Sequence, residues 1–175
     1  MCGNDDTLKI TETADIACEF FEVTIHNILY IRKLYPHQIF KKTKKYGVIV
    51  YQSVHPKINE YIAECLKAIH FHLKLKYLKT VCVCILMKNE VTERYIFDIA
   101  HSKDGNIEDL YIHLERDFRD FCLKLHTASN YLDRLLNDAT FIIQLHVSEY
   151  NSIEFNENES FQDFPWVQIN LKSWP

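Results

Sequence analysis

Residues 17–36, which read ACEFFEVTIHNILYIRKLYP, carry the strongest pattern in the chain. Two apolar stripes run along this stretch at helical spacing, one formed by Ala17, Phe21, Ile28, Ile31 and Tyr35 and the other by Phe20, Val23 and the preceding Ile16. Together the stripes cover more than half of the helix circumference, which is typical of a helix packed on several sides. We therefore predict a central helix over about 11–35, ended by Pro36.

Outward from this helix, the chain alternates helical and strand-like patterns. Pro56 suits the first turn of a second helix that runs to about Lys74. Asn106 can cap a third helix, with Asp109 as its partner in a capping box. Strands are predicted at 47–52, 78–87, 92–100 and 139–147, a last extended segment at 163–169, and a loop at the lysine-rich stretch 41–45. These elements predict an α+β fold, with three helices packed on a mostly antiparallel sheet.

The composition argues against two classes of function. The formal net charge is −4, whereas a protein that holds nucleic acid by bulk electrostatics usually carries a basic excess. The four lysines at 41–45 could contact phosphates, although a solvated segment is the favoured interpretation. Three glycines are too few for a glycine-rich phosphate loop. We expect no direct sequence-specific binding to nucleic acid.

The cysteines and the apolar segments bear on the compartment. None of the six cysteines forms a C-x-x-C pair, and most fall in apolar segments, which is typical of buried thiols in a reducing compartment. Cys82 and Cys84 share one face of a predicted strand, so a metal or redox site is the alternative. No uninterrupted apolar run of about 18 residues occurs, and the start lacks the order of a signal peptide. We expect a nuclear and cytoplasmic protein outside the membrane.

No constellation of residues indicates catalysis. His70 and His72 are two apart on a predicted helix, so their side chains diverge by about 200° and cannot share a metal ion. The sequence contains no G-x-S-x-G nucleophile motif, and its acidic pairs lie in polar segments typical of solvated charge. We expect no enzymatic activity, no catalytic residue, and no metal or other cofactor. A hydrolase that uses histidine and cysteine is the less favoured alternative.

Phe164-Pro165-Trp166 places a large aromatic residue in an extended segment near the C-terminus. Proline removes one donor of the strand ladder, which confines such a segment to the edge of a sheet or to a strand end. An edge with a nearby tryptophan suits a partner peptide that adds a strand. The alternative is a terminal strand whose tryptophan only covers the core.

Several ordered motifs, spread over about residues 10–169, resemble those of one family. In chain order, the motifs are Cys18-Glu19-Phe20-Phe21-Glu22-Val23, His26, Ile28-Leu29-Tyr30, Arg32, Leu34-Tyr35-Pro36, Ile39-Phe40, Lys44-Lys45-Tyr46, His55-Pro56, Asn59, Tyr61-Ile62 and Asp163-Phe164-Pro165-Trp166. Together they resemble the HORMA-domain accessory subunits of DNA polymerase zeta, also called mitotic arrest deficient 2-like B proteins. The resemblance implies a HORMA-type fold in a single domain at 1–175, with residues 1–9 expected to be disordered.

The resemblance also implies how a partner binds. Family members clamp a short peptide of the polymerase catalytic subunit, which adds to the sheet edge beneath a C-terminal segment called the safety belt. The peptide-contacting aromatic residues of the family match Tyr61 and Trp166 in this sequence. The self-association surface of the family matches Arg119, with Lys42 nearby, while Lys33 stands where vertebrate relatives usually carry an acidic residue.

The last residues depart from the family pattern. Family members typically continue for some tens of residues beyond the tryptophan and form the belt there, whereas this sequence stops at Pro175. From this we expect a safety belt that is largely missing and a weakened hold on the peptide. We also expect the loss of much of the surface that docks the scaffold polymerase of translesion synthesis.

The resemblance therefore implies a non-catalytic adaptor of the translesion DNA polymerase zeta. Such an adaptor binds the catalytic subunit by strand addition and bridges to other proteins of the DNA damage response and the cell cycle, including the scaffold polymerase and other HORMA proteins. A spindle-assembly-checkpoint HORMA adaptor is the alternative. The Tyr-Pro, Lys-Lys-Tyr and Asp-Phe-Pro-Trp motifs favour the polymerase branch.

Overall fold

The computed structural model describes residues 3–100, 107–128, 130–135 and 138–148. Within these residues, the helices and strands are, in chain order, α1 (Gly3–Ile31), a short 3₁₀ helix (His37–Ile39), β1 (Phe40–Lys45), β2 (Val48–Ser53), α2 (Pro56–Lys74), β3 (Leu78–Met87), β4 (Glu90–Asp98), α3 (Ile107–Ala128) and β5 (Thr140–Val147). No helix within the described ranges is both long and apolar enough to cross a membrane. The predicted extended segment at 163–169, with Trp166, lies outside the described residues.

The strands form two antiparallel sheets, a β1-β2 hairpin and a three-stranded sheet in the order β4-β3-β5. Three helices with antiparallel sheets confirm the predicted α+β class.

The lysine-rich stretch 41–45 was wrongly predicted as a loop, and in the structure it forms β1. Lys45 pairs with Val48 across a two-residue turn, in which Tyr46 and Gly47 both have positive φ, of 51° and 71°. Two such residues suit a type I′ turn, which closes a hairpin even where lysine gives little strand propensity.

β3 is the central strand of the larger sheet, and its bounds match the prediction. Lys88 and Asn89, with φ of 52° and 65°, form a second tight turn that joins it to β4. Because β3 is paired on both sides, its backbone is satisfied by its neighbours. Val81, Val83 and Ile85 are fully buried and belong to the hydrophobic core that the helices share.

α1 ends in a Schellman motif before it reaches the predicted boundary at Pro36. The N–H of Lys33 donates to the carbonyl of Tyr30, and the N–H of Leu34 donates to the carbonyl of Leu29, each at 3.0 Å. These two bonds satisfy carbonyls that the helix end would otherwise leave open. Lys33 has φ of 55° and takes the left-handed position that glycine usually occupies. Because lysine and not glycine stands there, the sequence carries no signal of this helix end.

α1 is the central element of the core and contacts α2, α3 and β2. Ile25, Ile28 and Leu29 are fully buried. Nearer the start of the helix, the ring of Phe20 stacks on Phe118 of α3 with centroids 3.6 Å apart. The helix is therefore packed on several sides, as its two apolar stripes predict.

Arg32, directly after α1, joins the helix to the sheet. Its Nε and Nη2 donate to the two carboxylate oxygens of Glu93 in β4, at 2.9 and 2.5 Å. Nη2 also donates to the backbone carbonyl of Asp133 at 2.6 Å, and the Tyr95 hydroxyl donates to the same carboxylate at 3.0 Å. The Arg32 and Glu93 side chains are only 5% and 12% exposed. Each charge therefore needs the other to offset the cost of its removal from water.

Removing one charge of this pair should destabilise the protein more than removing both. Arg32→Met leaves the Glu93 carboxylate buried without its cation, so the free energy of unfolding should fall by about 3 kcal/mol. The double variant Arg32→Met/Glu93→Leu should recover roughly half of that loss, because no unpaired charge remains. Urea unfolding followed by circular dichroism measures both changes.

The matched control is Lys67→Met, which breaks an exposed ion pair with Glu64 on α2. Because water screens that pair, the free energy of unfolding should change by less than about 1 kcal/mol. Equal losses in Arg32→Met and in the control would contradict a stabilising role for the buried pair.

Candidate functional site

Among the described strands, β5 lies at one end of the larger sheet, so one of its two sides is an edge there. Within the described residues, β3 is the strand that pairs with it. In an antiparallel pair, alternate residues direct both backbone groups toward the neighbouring strand, and the residues between them direct both groups away. Half of the β5 backbone therefore points outward from the sheet.

A hydrogen bond to Tyr61 identifies which residues of β5 face outward. The backbone N–H of Ile143 donates to the hydroxyl oxygen of Tyr61, on α2, at 3.1 Å. Although Ile143 lies opposite Val83 of β3, its N–H points to α2, so its backbone faces away from β3. Because the direction alternates along a strand, the backbone groups of Phe141 and Leu145 also point away from β3. The edge therefore has three residues whose backbone groups point outward. One of these groups, the amide of Ile143, already has a side-chain partner.

An aromatic cluster adjoins this edge. The Tyr61 ring meets Phe141 edge-on with centroids 5.5 Å apart, and Tyr35 meets Phe141 at 6.3 Å. Burial, with a smaller contribution from the neighbouring Cys65, raises the pKa of the Tyr61 phenol, so the hydroxyl is protonated at neutral pH. A protonated phenol can accept from one group while it donates to another. The edge thus combines backbone groups with apolar rings, the two features that strand addition by a peptide uses.

The structure places one of the two predicted peptide contacts at this edge. Tyr61 is there, while Trp166 lies outside the described residues. Phe141 was not predicted as a neighbour of Tyr61, although its place in an alternating strand was a usable signal. The bond between Tyr61 and Ile143 was not predicted either, because it joins residues 82 positions apart and leaves no mark in local patterns.

The two residues predicted for self-association, Arg119 and Lys42, are both exposed. Arg119 lies on α3 and Lys42 on β1. The β1-β2 turn contacts α3 where the Tyr46 ring meets Phe118 edge-on at 4.9 Å. Arg119 therefore lies on a helix that contacts the turn of the hairpin that carries Lys42.

Asp15, Cys18 and His70 come together where α1 meets α2, in residue types that could suggest a nucleophile and its base. The Asp15 carboxylate lies 3.0 Å from Nε2 of His70, but the Cys18 thiol donates to the carbonyl of Leu66 at 3.7 Å. Burial, followed by the charges of Asp15 and Glu22, raises the pKa of the Cys18 thiol to about 12. A thiol that stays protonated is a poor nucleophile, so this group does not support covalent catalysis.

Cys82 and Cys84 share one face of β3, as predicted. Their sulfur atoms are 3.4 Å apart, and the Cys84 thiol donates to the side-chain carbonyl of Gln144 at 3.3 Å. A structural zinc site needs four ligands. Across the described ranges, no group of three histidine, cysteine or acidic side chains is placed to hold a metal ion.

Comparison with known proteins gives one family and named relatives. The family model described as HORMA domain matches residues 14–149. The chain is 36% identical over 157 residues to "Mitotic spindle assembly checkpoint protein MAD2B" of Homo sapiens, which covers 88% of this chain and 74% of the relative. It is 31% identical over 158 residues to "DNA polymerase zeta subunit 2" of Drosophila melanogaster, which covers 89% of this chain and 80% of the relative.

Solved structures agree on the fold. The chain matches "Crystal Structure of Mitotic Checkpoint Complex" with a TM-score of 0.77 at 21% identity, over 95% of this chain and 83% of that one. It matches "C. elegans HTP-2 bound to HTP-3 closure motif 1" with a TM-score of 0.64 at 13% identity, over 79% of this chain and 67% of that one. At these identities, the likeness concerns the fold.

Proposed function

The chain belongs to the HORMA domain family, and on that premise we propose that it is a non-catalytic adaptor subunit of the translesion DNA polymerase zeta. It binds a short peptide of the catalytic subunit, which adds as a strand to the outer edge of β5. A relative named DNA polymerase zeta subunit 2 supports the assignment to this polymerase. The similarly folded HTP-2, solved with a bound closure motif, supports the peptide-binding mode.

The observation that carries the proposal is the 3.1 Å hydrogen bond from the Ile143 N–H to the Tyr61 hydroxyl. It puts a side chain of α2 at the edge where an added strand would lie, so Tyr61 would touch the peptide directly. Phe141 and Leu145 offer the adjoining backbone groups for a ladder. In this proposal, Trp166 supplies a second aromatic wall, on the strength of its match to the family motif.

Truncating the aromatic residues should weaken peptide binding. We expect Trp166→Ala to cost about 2 kcal/mol or more of the binding free energy for a proline-containing peptide of the catalytic subunit. Tyr61→Ala should raise the dissociation constant by at least about tenfold, because it removes the aromatic ring that would touch the peptide. Isothermal titration calorimetry measures both effects.

Tyr131→Ala is the matched control, because Tyr131 is an aromatic residue that is 84% exposed. Its dissociation constant should equal that of the unaltered chain. Unchanged affinity in Trp166→Ala would remove Trp166 from the site. Unchanged affinity in both Trp166→Ala and Tyr61→Ala would place the peptide away from β5.

Self-association through Arg119 and Lys42 is part of this proposal; both are exposed, Arg119 on α3 and Lys42 on the hairpin whose turn contacts α3. An adaptor of this kind bridges polymerase subunits with other proteins of the DNA damage response and the cell cycle, including the scaffold polymerase, and acts in the nucleus with a cytoplasmic pool. Cationic side chains at such a surface would act by matching acidic groups on the partner copy.

Reversing the charge at Arg119 tests this surface. Sedimentation velocity of Arg119→Glu should show a dimer dissociation constant at least about tenfold higher than that of the unaltered chain, because the substitution adds like-charge repulsion. Lys124→Glu is the control and should leave the constant unchanged, because Lys124 is also exposed on α3 but lies about 140° around the helix from Arg119. A purely monomeric unaltered chain would contradict the proposal.

A spindle-assembly-checkpoint adaptor is the second candidate function. The name of the human relative, which refers to the mitotic spindle assembly checkpoint, favours it. The two candidates differ in their partners rather than in the binding edge. Recovery of the polymerase catalytic subunit from DNA-damaged cells supports the first, and recovery of checkpoint regulators alone from mitotic cells supports the second.

A further inference from the structure

A groove of about 740 Å³ runs between α1 and α2, away from the β5 edge. Its described lining residues come from these two helices and from Leu75, which directly follows α2. The apolar part of the lining is formed by Ile62, Ala63, Leu66, Phe71 and Leu75. Ala63 and Leu75 are exposed, and Leu66 and Phe71 are half-buried. The groove therefore offers apolar surface that water can reach.

The two helices run antiparallel along this groove. Asp15 contacts His70 at 3.0 Å, and Cys18 contacts the carbonyl of Leu66 at 3.7 Å, so the positions on α2 fall as those on α1 rise. The lining reaches from Asn59 to Leu75, which corresponds to about 24 Å of helix. A groove between two antiparallel helices is the place where a third helix packs in a helical bundle.

The floor of the groove carries polar groups. Nδ1 of His26 accepts from the backbone N–H of Ser53 at 3.4 Å, and burial lowers the pKa of His26 to about 4. The neutral ring therefore carries its proton on Nε2. Asn59 donates its amide N–H to the Ser53 carbonyl at 3.1 Å, while its buried Oδ1 has no hydrogen-bond partner among the residues that the structure describes. A donor and an open acceptor together match a carboxamide.

The rim of the groove on the α2 side carries two lysines, while Glu22 lines the α1 side. Lys67 and Lys74 both line the groove and are exposed. Lys67 pairs with Glu64 at 2.5 Å, and Lys74 meets no carboxylate among the described residues. On this side, a partner with acidic groups would be favoured over one with basic groups.

We propose that the α1-α2 groove is a second docking site, which takes an amphipathic helix of a partner protein. That helix has an apolar face broken by one central glutamine or asparagine, and an acidic flank that faces Lys67 and Lys74. The apolar face fills the groove, the carboxamide meets His26 and Asn59, and the flank matches the lysines. The site shares no lining residue with the β5 edge, so it does not depend on the function proposed above.

The test uses three synthetic helical peptides that share one leucine face. The first has a central glutamine and a glutamate flank, the second has a lysine flank, and the third has leucine in place of the glutamine. Calorimetry with the full chain should show the first peptide binding at least about tenfold tighter than the second, and tighter than the third. Ala63→Trp should weaken the first peptide by at least about tenfold, because it fills an exposed part of the groove.

Lys57→Trp is the matched control, because Lys57 is exposed on α2 and does not line the groove. It should leave the affinity unchanged. The charge-reversal variant Lys67→Glu/Lys74→Glu alters only the surface and should invert the preference between the first two peptides. Throughout, Ala63→Trp should bind the catalytic-subunit peptide normally, which separates this site from the β5 edge.

Three results would overturn the proposal. One is equal binding of the first and second peptides by the unaltered chain. Another is binding that Ala63→Trp does not weaken. The third is a dimer of the unaltered chain that Ala63→Trp dissociates without any peptide, which would assign the groove to a second copy of the chain.

Discussion

Burial of α1 on nearly all its sides is the constraint on which the rest of the structure depends. Its residues Ile25, Ile28 and Leu29 are fully removed from water, and a helix that apolar is stable only where other elements cover it. α2, α3 and β2 provide that cover, and the apolar face of β3 joins the same core. Arg32 then fixes the end of the helix to β4 through Glu93. This arrangement leaves β5 at the sheet edge, within reach of α2.

Much of the fold could be predicted from the sequence, because a clear sequence pattern marks each of several helices and strands. β3 and α2 were predicted with their observed bounds, since hydrophobic periodicity and Pro56 mark them. The strand β1 was not predicted, because its four lysines give no strand pattern and only its pairing with β2 defines it. The end of α1 was not predicted, because Lys33 takes the left-handed conformation for which a glycine is the usual sequence signal. Pairing with β2 decided the first case and the backbone hydrogen bonds of the helix end decided the second, while side-chain propensity decided neither.

The candidate site was predictable only in part, for a physical reason. Motif resemblance pointed to Tyr61, but its partner is a backbone amide of Ile143, and backbone amides carry no residue identity. The outward face of β5 likewise follows from strand alternation once one bond is known. On α2, Ala63 lies about 200° around the helix from Tyr61, which is nearly the opposite side. One helix thus borders the β5 edge with one face and the groove with the other, so the two proposed sites do not overlap on α2.

The most direct test of the central claim is amide hydrogen exchange of β5, followed by NMR, with and without the catalytic-subunit peptide. If the peptide adds as a strand, the amides of Phe141 and Leu145 gain ladder partners, and their exchange should slow by at least about tenfold. The amides of β4, at the opposite end of the sheet, should be unaffected. Unchanged exchange at Phe141 and Leu145 when the peptide is saturating would contradict strand addition at this edge.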